Sequence, residues 1–141
     1  MTRSQAQSPE AVGLREGFRS GLEDKVADQL RAWGIDPQYE AFKIKYLVPQ
    51  RSSTYTPDFR LPNGIFIETK GRFITKDRQK HLLIQAQHPE IEIRFVFSNS
   101  RARISKTSKT TYADWCNKHG FKFADKLIPK EWINEQPVHR P

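Results

Sequence analysis

The chain has 141 residues with 24 Lys+Arg against 16 Asp+Glu, a formal charge of +8 at a length that suits one domain and excludes a large multi-domain enzyme. A hydrophobic fraction of 36% is low, yet 9 Phe, 3 Trp and 4 Tyr supply bulky groups for a modest core. No run of about 18 apolar residues exists, residues 1–20 lack the apolar stretch of a signal peptide, and a lone Cys116 excludes an internal disulfide, so the expectation is an intracellular protein that spans no membrane.

Residues 1–19, rich in Ser, Gln, Arg and Glu without periodicity, read as a mobile arm ahead of one domain over 20–135 and a tail over 136–141. Ser20 suits a helix N-cap, and Leu22, Val26, Leu30 and Trp33 at helical spacing predict a helix over 21–33 that Gly34 stops. Phe42, Ile44, Tyr46 and Val48 alternate with Lys43, Lys45 and Leu47 as a strand with one wet face, closed by Pro49 and the polar run Gln50-Arg51-Ser52-Ser53. Thr56–Leu61 and Ile65–Lys70 form a hairpin around Pro62-Asn63-Gly64. Those three residues match a type I turn followed by a left-handed glycine, so the predicted pairs are Leu61 with Ile65, Phe59 with Ile67 and Asp58 with Glu68.

Thr75 caps a predicted helix to about His88 with Leu82, Leu83 and Ala86 inward, and Ile91, Ile93, Phe95 and Phe97 alternate as the next strand. A basic loop over 98–110, a short helix over 111–119 stopped by Gly120, a small strand at 121–123 and a helical turn at 129–133 complete the chain. Helix, three strands, helix, strand, helix describes an α/β fold: a mixed central sheet flanked by helices.

The excess charge sits in two segments. Residues 70–81 hold Lys70, Arg72, Lys76, Arg78 and Lys80 against Asp77, and residues 101–111 hold Arg101, Arg103, Lys106 and Lys109 with no acid. Basic patches of this kind suit a polyanion, because Lys and Arg placed against phosphates release condensed counterions; on composition alone, solvated charge kept for solubility carries about equal weight. Lys76, Arg78, Arg101, Arg103 and Lys106 are the candidate DNA contacts.

In the predicted register Asp58 and Glu68 face each other across a strand pair, with Lys70 on the same face. Opposed carboxylates repel unless a cation lies between them, and oxygen ligands, with the Thr69 carbonyl as a further one, favour Mg²⁺ or Mn²⁺. Taken singly, Asp58 reads more readily as a turn cap and Glu68 and Lys70 as wet edge charges than as catalytic groups. Glu23 completes the capping box Ser20-Gly21-Leu22-Glu23. His81 and His88 on one helix face read as surface histidines or phosphate contacts; Trp33, Trp115 and Trp132 read as core, and Cys116 with His119 lacks a second ligand pair.

Pro57-Asp58, nine residues, Glu68-Thr69-Lys70 resembles the PD-(D/E)xK nuclease motif, and longer stretches carry a second resemblance. Phe18–Val26, Thr54–Phe59, Leu61–Gly71, Lys80–Ile84, Lys118–Gly120 and Lys122–Pro129 are similar to the bacteriophage endonuclease I family over about residues 18–133. That resemblance implies a restriction-endonuclease-like core in a domain-swapped homodimer, exchanging 20–48 across a bridge at 49–53. It further implies resolution of four-way (Holliday) junctions and branched DNA with Mg²⁺ or Mn²⁺, two ions per site. Glu23, Asp58 and Glu68 become metal ligands and catalytic residues, with Lys70 as the catalytic lysine, and a phage-encoded chain would work in the host bacterial cytoplasm. Three other readings stay open on the sequence: a duplex-cutting nuclease of the same fold, a non-catalytic basic DNA-binding module, and a structural protein whose acids form a folding metal site.

Overall fold

The helical spacing from Leu22 onward forms α1 (Gly21–Ala32) in the computed structural model, which describes residues 21–48 and 51–138. Glu23 and Asp24 lie in its first turn and Arg31 in its last, each matched to the helix dipole. Gly34, at φ +74°, ends the helix while the Ile35 amide returns to the Leu30 carbonyl at 2.9 Å, a left-handed stop that glycine takes without strain. Ser20 and the arm over 1–19 lie outside the described residues.

β1 (Ile44–Val48) buries Ile44 and Tyr46 and leaves Lys45 and Leu47 wet, as the alternation predicts. The polar run expected to close this strand instead supplies a second one. β2 (Arg51–Tyr55) pairs antiparallel with β1, Ile44 opposite Tyr55 and Val48 opposite Arg51. Only Tyr55 of β2 is buried; the strand is held by backbone pairing on a wet ribbon, so it has no hydrophobic period to read.

The main sheet has the order β3 (Phe59–Arg60), β4 (Phe66–Lys70), β5 (Ile93–Phe97), β6 (Phe123–Asp125). The first pair is antiparallel and the other two parallel, so the sheet is mixed. Phe59 lies opposite Ile67 and Arg60 opposite Phe66, the register of a three-residue turn. The Gly64 amide closes that turn on the Leu61 carbonyl at 2.9 Å with φ +93°, and a Cβ at Gly64 would sit 2.9 Å from the Val138 carbonyl oxygen. Residues to Val138 therefore pack on the hairpin: the Val138 amide donates to the Asn63 carbonyl at 2.6 Å, and Asn63 Nδ2 to the Trp132 carbonyl at 2.7 Å.

The sheet separates two cores. Against one face lie α2 (Thr75–Gln87), α3 (Tyr112–His119) and the β1–β2 ribbon, packed around Phe73, Phe95, Phe97 and Phe121. Against the other lie α1 and α4 (Lys130–Ile133), packed on Phe59, Leu61, Ile65, Ile67 and Val96. This explains why β5 is buried along its whole length although the sequence alternates. Val96 meets the second core, and Arg94 is neutralised by Glu92 at 2.9 Å and by Glu135 through two bonds of 2.7 and 2.8 Å.

α2 starts one residue earlier than expected in its capping: Ile74 is the N-cap, its amide 3.4 Å from Asp77 Oδ2. Its buried face is Arg78, His81 and Ile84, while Leu82 and Leu83 are half-buried and Ala86 is exposed. The aromatic pocket around His81 draws a ring inward and turns the helix away from its aliphatic residues. α3 has the predicted form, with Thr111 accepting the Asp114 amide and Gly120 at φ +77°; β6 falls two residues beyond the expected 121–123 because Phe121 fills the core instead. None of the described helices is long and apolar enough to cross a membrane.

Candidate active site

The β3–β4 hairpin and α1 bring the acidic residues together. Asp58, just ahead of β3, presents Oδ2 to the Thr69 amide at 2.9 Å and the Thr69 hydroxyl at 2.8 Å. Thr69 was expected as a carbonyl ligand; its amide and hydroxyl orient Asp58. Glu68 accepts the Tyr55 hydroxyl on Oε1 at 2.7 Å and faces Lys70 Nζ with Oε2 at 3.6 Å. On its other side Lys70 lies 3.4 Å from Asp77 Oδ1, so the ammonium is held between two carboxylates. From α1, Glu23 accepts the Tyr39 hydroxyl at 2.9 Å, and one oxygen each from Glu23, Glu40 and Asp58 lie within 4.8 Å of one another.

Glu40, Tyr39, Tyr55 and Asp77 were not singled out from the sequence. Glu40 has φ +48°, rare for a residue with a side chain, and its amide donates to the Asp58 carbonyl at 2.9 Å; no period marks such a position. Asp77 carried a signal, as an acid in the first turn of a helix, but that signal reads as capping.

Burial dominates the electrostatics. Asp58 is pushed well above the usual carboxylate range by desolvation and then by the charges of Glu68 and Glu23, with the Thr69 bonds opposing. Glu68 is also raised by burial, against the pull of Lys70 and of the Tyr55 hydrogen bond. Packed oxygens that resist ionisation on their own suit a hard divalent cation, which would compensate the buried charge; Asp58, Glu23 and Glu40, with Glu68 beside them, are the residues that would hold it.

The raised carboxyls fix the sign of a stability effect. A folded pKa above the unfolded one means that the folded chain keeps protons longer, so metal-free stability falls as pH rises from the ordinary carboxylate range through the folded values. Asp58→Asn removes one of the opposed charges. Its metal-free melting temperature near neutral pH should exceed that of the unaltered chain, by roughly 3 °C for each kcal/mol relieved, with the gap closing in acid. A scanning-calorimetry series in EDTA across pH checks this, and equal melting curves at neutral pH would refute it.

Among the expected DNA contacts, Lys76, Arg101, Arg103 and Lys106 are exposed. Arg78 is not available: it is buried, with its guanidinium bonded to the Phe73 carbonyl and the Thr75 hydroxyl. His81 is likewise inside rather than at the surface, edge-on to Tyr55 and Phe95 at 5.0 and 4.8 Å, and burial holds its imidazole well below the ordinary histidine range. His88 bonds the Lys45 carbonyl. Cys116 is buried and its thiol pushed up to about 12 by desolvation, which leaves it inert, while Trp115 and Trp132 are core as expected and half-buried Trp33 carries Lys130 over its ring at 4.6 Å.

Comparison with known proteins gives consistent results. The family model described as phage endonuclease I matches residues 1–141. Endonuclease I of Escherichia phage T7 is 59% identical over 133 residues, covering 93% of this chain and 89% of that protein. Endodeoxyribonuclease 1 of Enterobacteria phage T3 is 58% identical over 124 residues, covering 88% and 82% respectively. With the family model spanning the whole chain and two relatives well above half identical along nearly their full lengths, this chain belongs to the phage endonuclease I family.

Proposed function

We propose that this chain is a metal-dependent DNA endonuclease with a PD-(D/E)xK core that hydrolyses phosphodiester bonds in four-way junctions and other branched DNA. The observation that carries the reading is the convergence of Asp58, Glu68 and Lys70 on one hairpin with Glu23 of α1, inside a basic domain of this family. Mg²⁺ or Mn²⁺, two ions per site, would supply the Lewis acidity that activates water and offsets charge on the phosphate. Asp58, Glu68 and Glu23 would hold it, with Glu40 and the Thr69 carbonyl as further oxygens. Thr69 fixes one oxygen of Asp58 and Tyr55 one oxygen of Glu68, which sets the carboxylate planes before substrate arrives.

Lys70, steadied between Glu68 and Asp77, donates to a non-bridging oxygen of the scissile phosphate and stabilises the charge that grows during in-line attack by water. The ester bond to the 3′ oxygen breaks, leaving a 5′ phosphate and a 3′ hydroxyl. Cutting of a four-way junction in Mg²⁺, and its loss in EDTA, tests the reading.

Two chains would supply the two symmetric cuts a junction needs. In this reading the homodimer exchanges residues 20–48 across a bridge at 49–53, so that Glu23 of one protomer meets Asp58 of its partner. Within a single chain the same contact is made internally; exchange changes the ownership of the contact and leaves its chemistry alone.

Lys76, Arg101, Arg103 and Lys106 are assigned to the DNA backbone. Neutralising Arg101 and Arg103 together should flatten the dependence of junction affinity on salt by about one unit per lost phosphate contact. Titration from low to moderate salt in EDTA measures it, and an unchanged slope would assign both side chains to bulk solvent.

A further inference from the structure

A basic cleft lies beside the β3–β4 hairpin. The segment that leaves β4 and the basic loop enclose a cleft of about 360 Å³, lined by Arg72, Phe73, Ser105, Lys106, Arg103 and Tyr112 among others. No carboxylate lines it, and among the described residues Arg72, Arg103 and Lys106 take part in no ion pair. Three like charges gathered without an acid raise the local potential, and an anion would relieve it.

Two features distinguish this cleft from scattered surface charge. The first is a fixed frame. Arg103 bridges Thr111, the Ile104 amide bonds the Thr110 carbonyl at 2.9 Å, and the Tyr112 amide bonds the Ala102 carbonyl at 2.9 Å. Asp125 then anchors the start of the loop through the Ser100 amide and hydroxyl at 2.6 and 2.7 Å. Cations on such a loop are placed with less ordering entropy left to lose on binding. The second is Tyr112, only 8% exposed, whose hydroxyl oxygen accepts the Phe73 amide at 3.1 Å. Its proton has no acceptor among the described residues, so a buried donor lines a cleft that otherwise offers cations and the Ser105 hydroxyl.

Resting on the nuclease reading above, we infer that this cleft is a subsite for a non-scissile phosphate of the cut strand, bound by Arg72, Arg103 and Lys106 with the Tyr112 hydroxyl. Its distance from the chemistry is set by the chain. Arg72 follows Lys70 by two residues, so their Cα atoms lie at most about 7 Å apart, and with both side chains extended the phosphate held here falls within a few nucleotides of the one at Lys70. The subsite thereby sets where along the strand the scissile bond falls.

The test uses the full chain in EDTA, where binding is read without cutting. Four-way junctions carrying a single uncharged methylphosphonate, moved one position at a time around the cut site, are titrated with the unaltered protein and with Arg72→Gln/Lys106→Gln. Both side chains are exposed, and matching circular-dichroism melts control for folding. The expected result is one position, within a few nucleotides of the scissile phosphate, at which the methylphosphonate weakens the unaltered protein by roughly tenfold and the variant hardly at all, with the variant's salt slope reduced by about one to two. Equal losses for both proteins at every position, or an unchanged slope, would overturn the subsite. A reduced slope with a coupled position in a protein that never cuts would uphold the subsite and refute the nuclease reading; normal cutting with neither effect would do the reverse.

Discussion

Replacing Asp58, Glu68 or Lys70 by alanine is expected to lower junction cutting by about 10³-fold or more while leaving junction binding largely intact. The asymmetry follows from where the charges sit. Asp58 and Glu68 are 6% and 5% exposed and spend their oxygens on Thr69, Tyr55 and Lys70, so they add little to the surface that meets DNA; removing them also subtracts negative charge near the phosphates. Lys70 is one cation among many. The three losses should not add, since each disables the same event and a double variant has little left to lose. Single-turnover rates in Mg²⁺ and binding titrations in EDTA separate the two effects. Near-normal turnover in Glu68→Ala, or full activity in excess EDTA, would remove these residues from the chemistry.

The second large effect is a recovery. Glu23→Ala and Asp58→Ala chains, each inactive as homodimers, are expected to regain nicking when refolded together. If each site joins Glu23 of one protomer to Asp58, Glu68 and Lys70 of the other, a heterodimer gathers both lesions in one site and leaves its second site whole. One intact site cuts one strand, so the product is a nicked junction, and random pairing makes half of the dimers competent. Were every site built within one chain, as the internal contact of Glu23 with Asp58 allows, each site in the mixture would carry one lesion and none would recover. Heterodimers verified by differently tagged chains, with no nicking, would therefore reject the exchange and leave the nuclease assignment standing.

The parts of this site that could be read in the sequence are those with local causes. Pro62-Asn63-Gly64 demands one turn type, that turn sets the register of Phe59 opposite Ile67, and Asp58 follows one residue beyond the ladder with its Oδ2 on the Thr69 amide. The period of α1 likewise puts Glu23 on its buried side with Val26, Ala27 and Leu30. What the sequence hid depends on tertiary contacts that no local period marks. Glu40 sits in a non-repeating segment whose left-handed backbone is held by the Asp58 carbonyl; Asp77 becomes a partner of Lys70 only because α2 returns across the end of β4. Tyr55 reaches Glu68 from β2, a polar strand whose Ser52, Ser53 and Thr54 pair by backbone with Leu47, Tyr46 and Lys45 of β1. Arg78 and His81 misled for the opposite reason: polar residue types read as surface, yet the aromatic core takes in the His81 ring and the Phe73 carbonyl takes up the Arg78 guanidinium.

The most direct measurement is incubation of the purified chain with a four-way junction and with a linear duplex of the same arm sequences, each with and without Mg²⁺. Paired cuts near the branch point of the junction, much slower cutting of the duplex, 5′-phosphate ends, and no product of either kind in EDTA are the expected outcome. Tight binding to both substrates with no cutting of either in Mg²⁺ or Mn²⁺ would contradict it, and would make the acid cluster beside Lys70 a feature of a DNA-binding module instead of a catalytic centre.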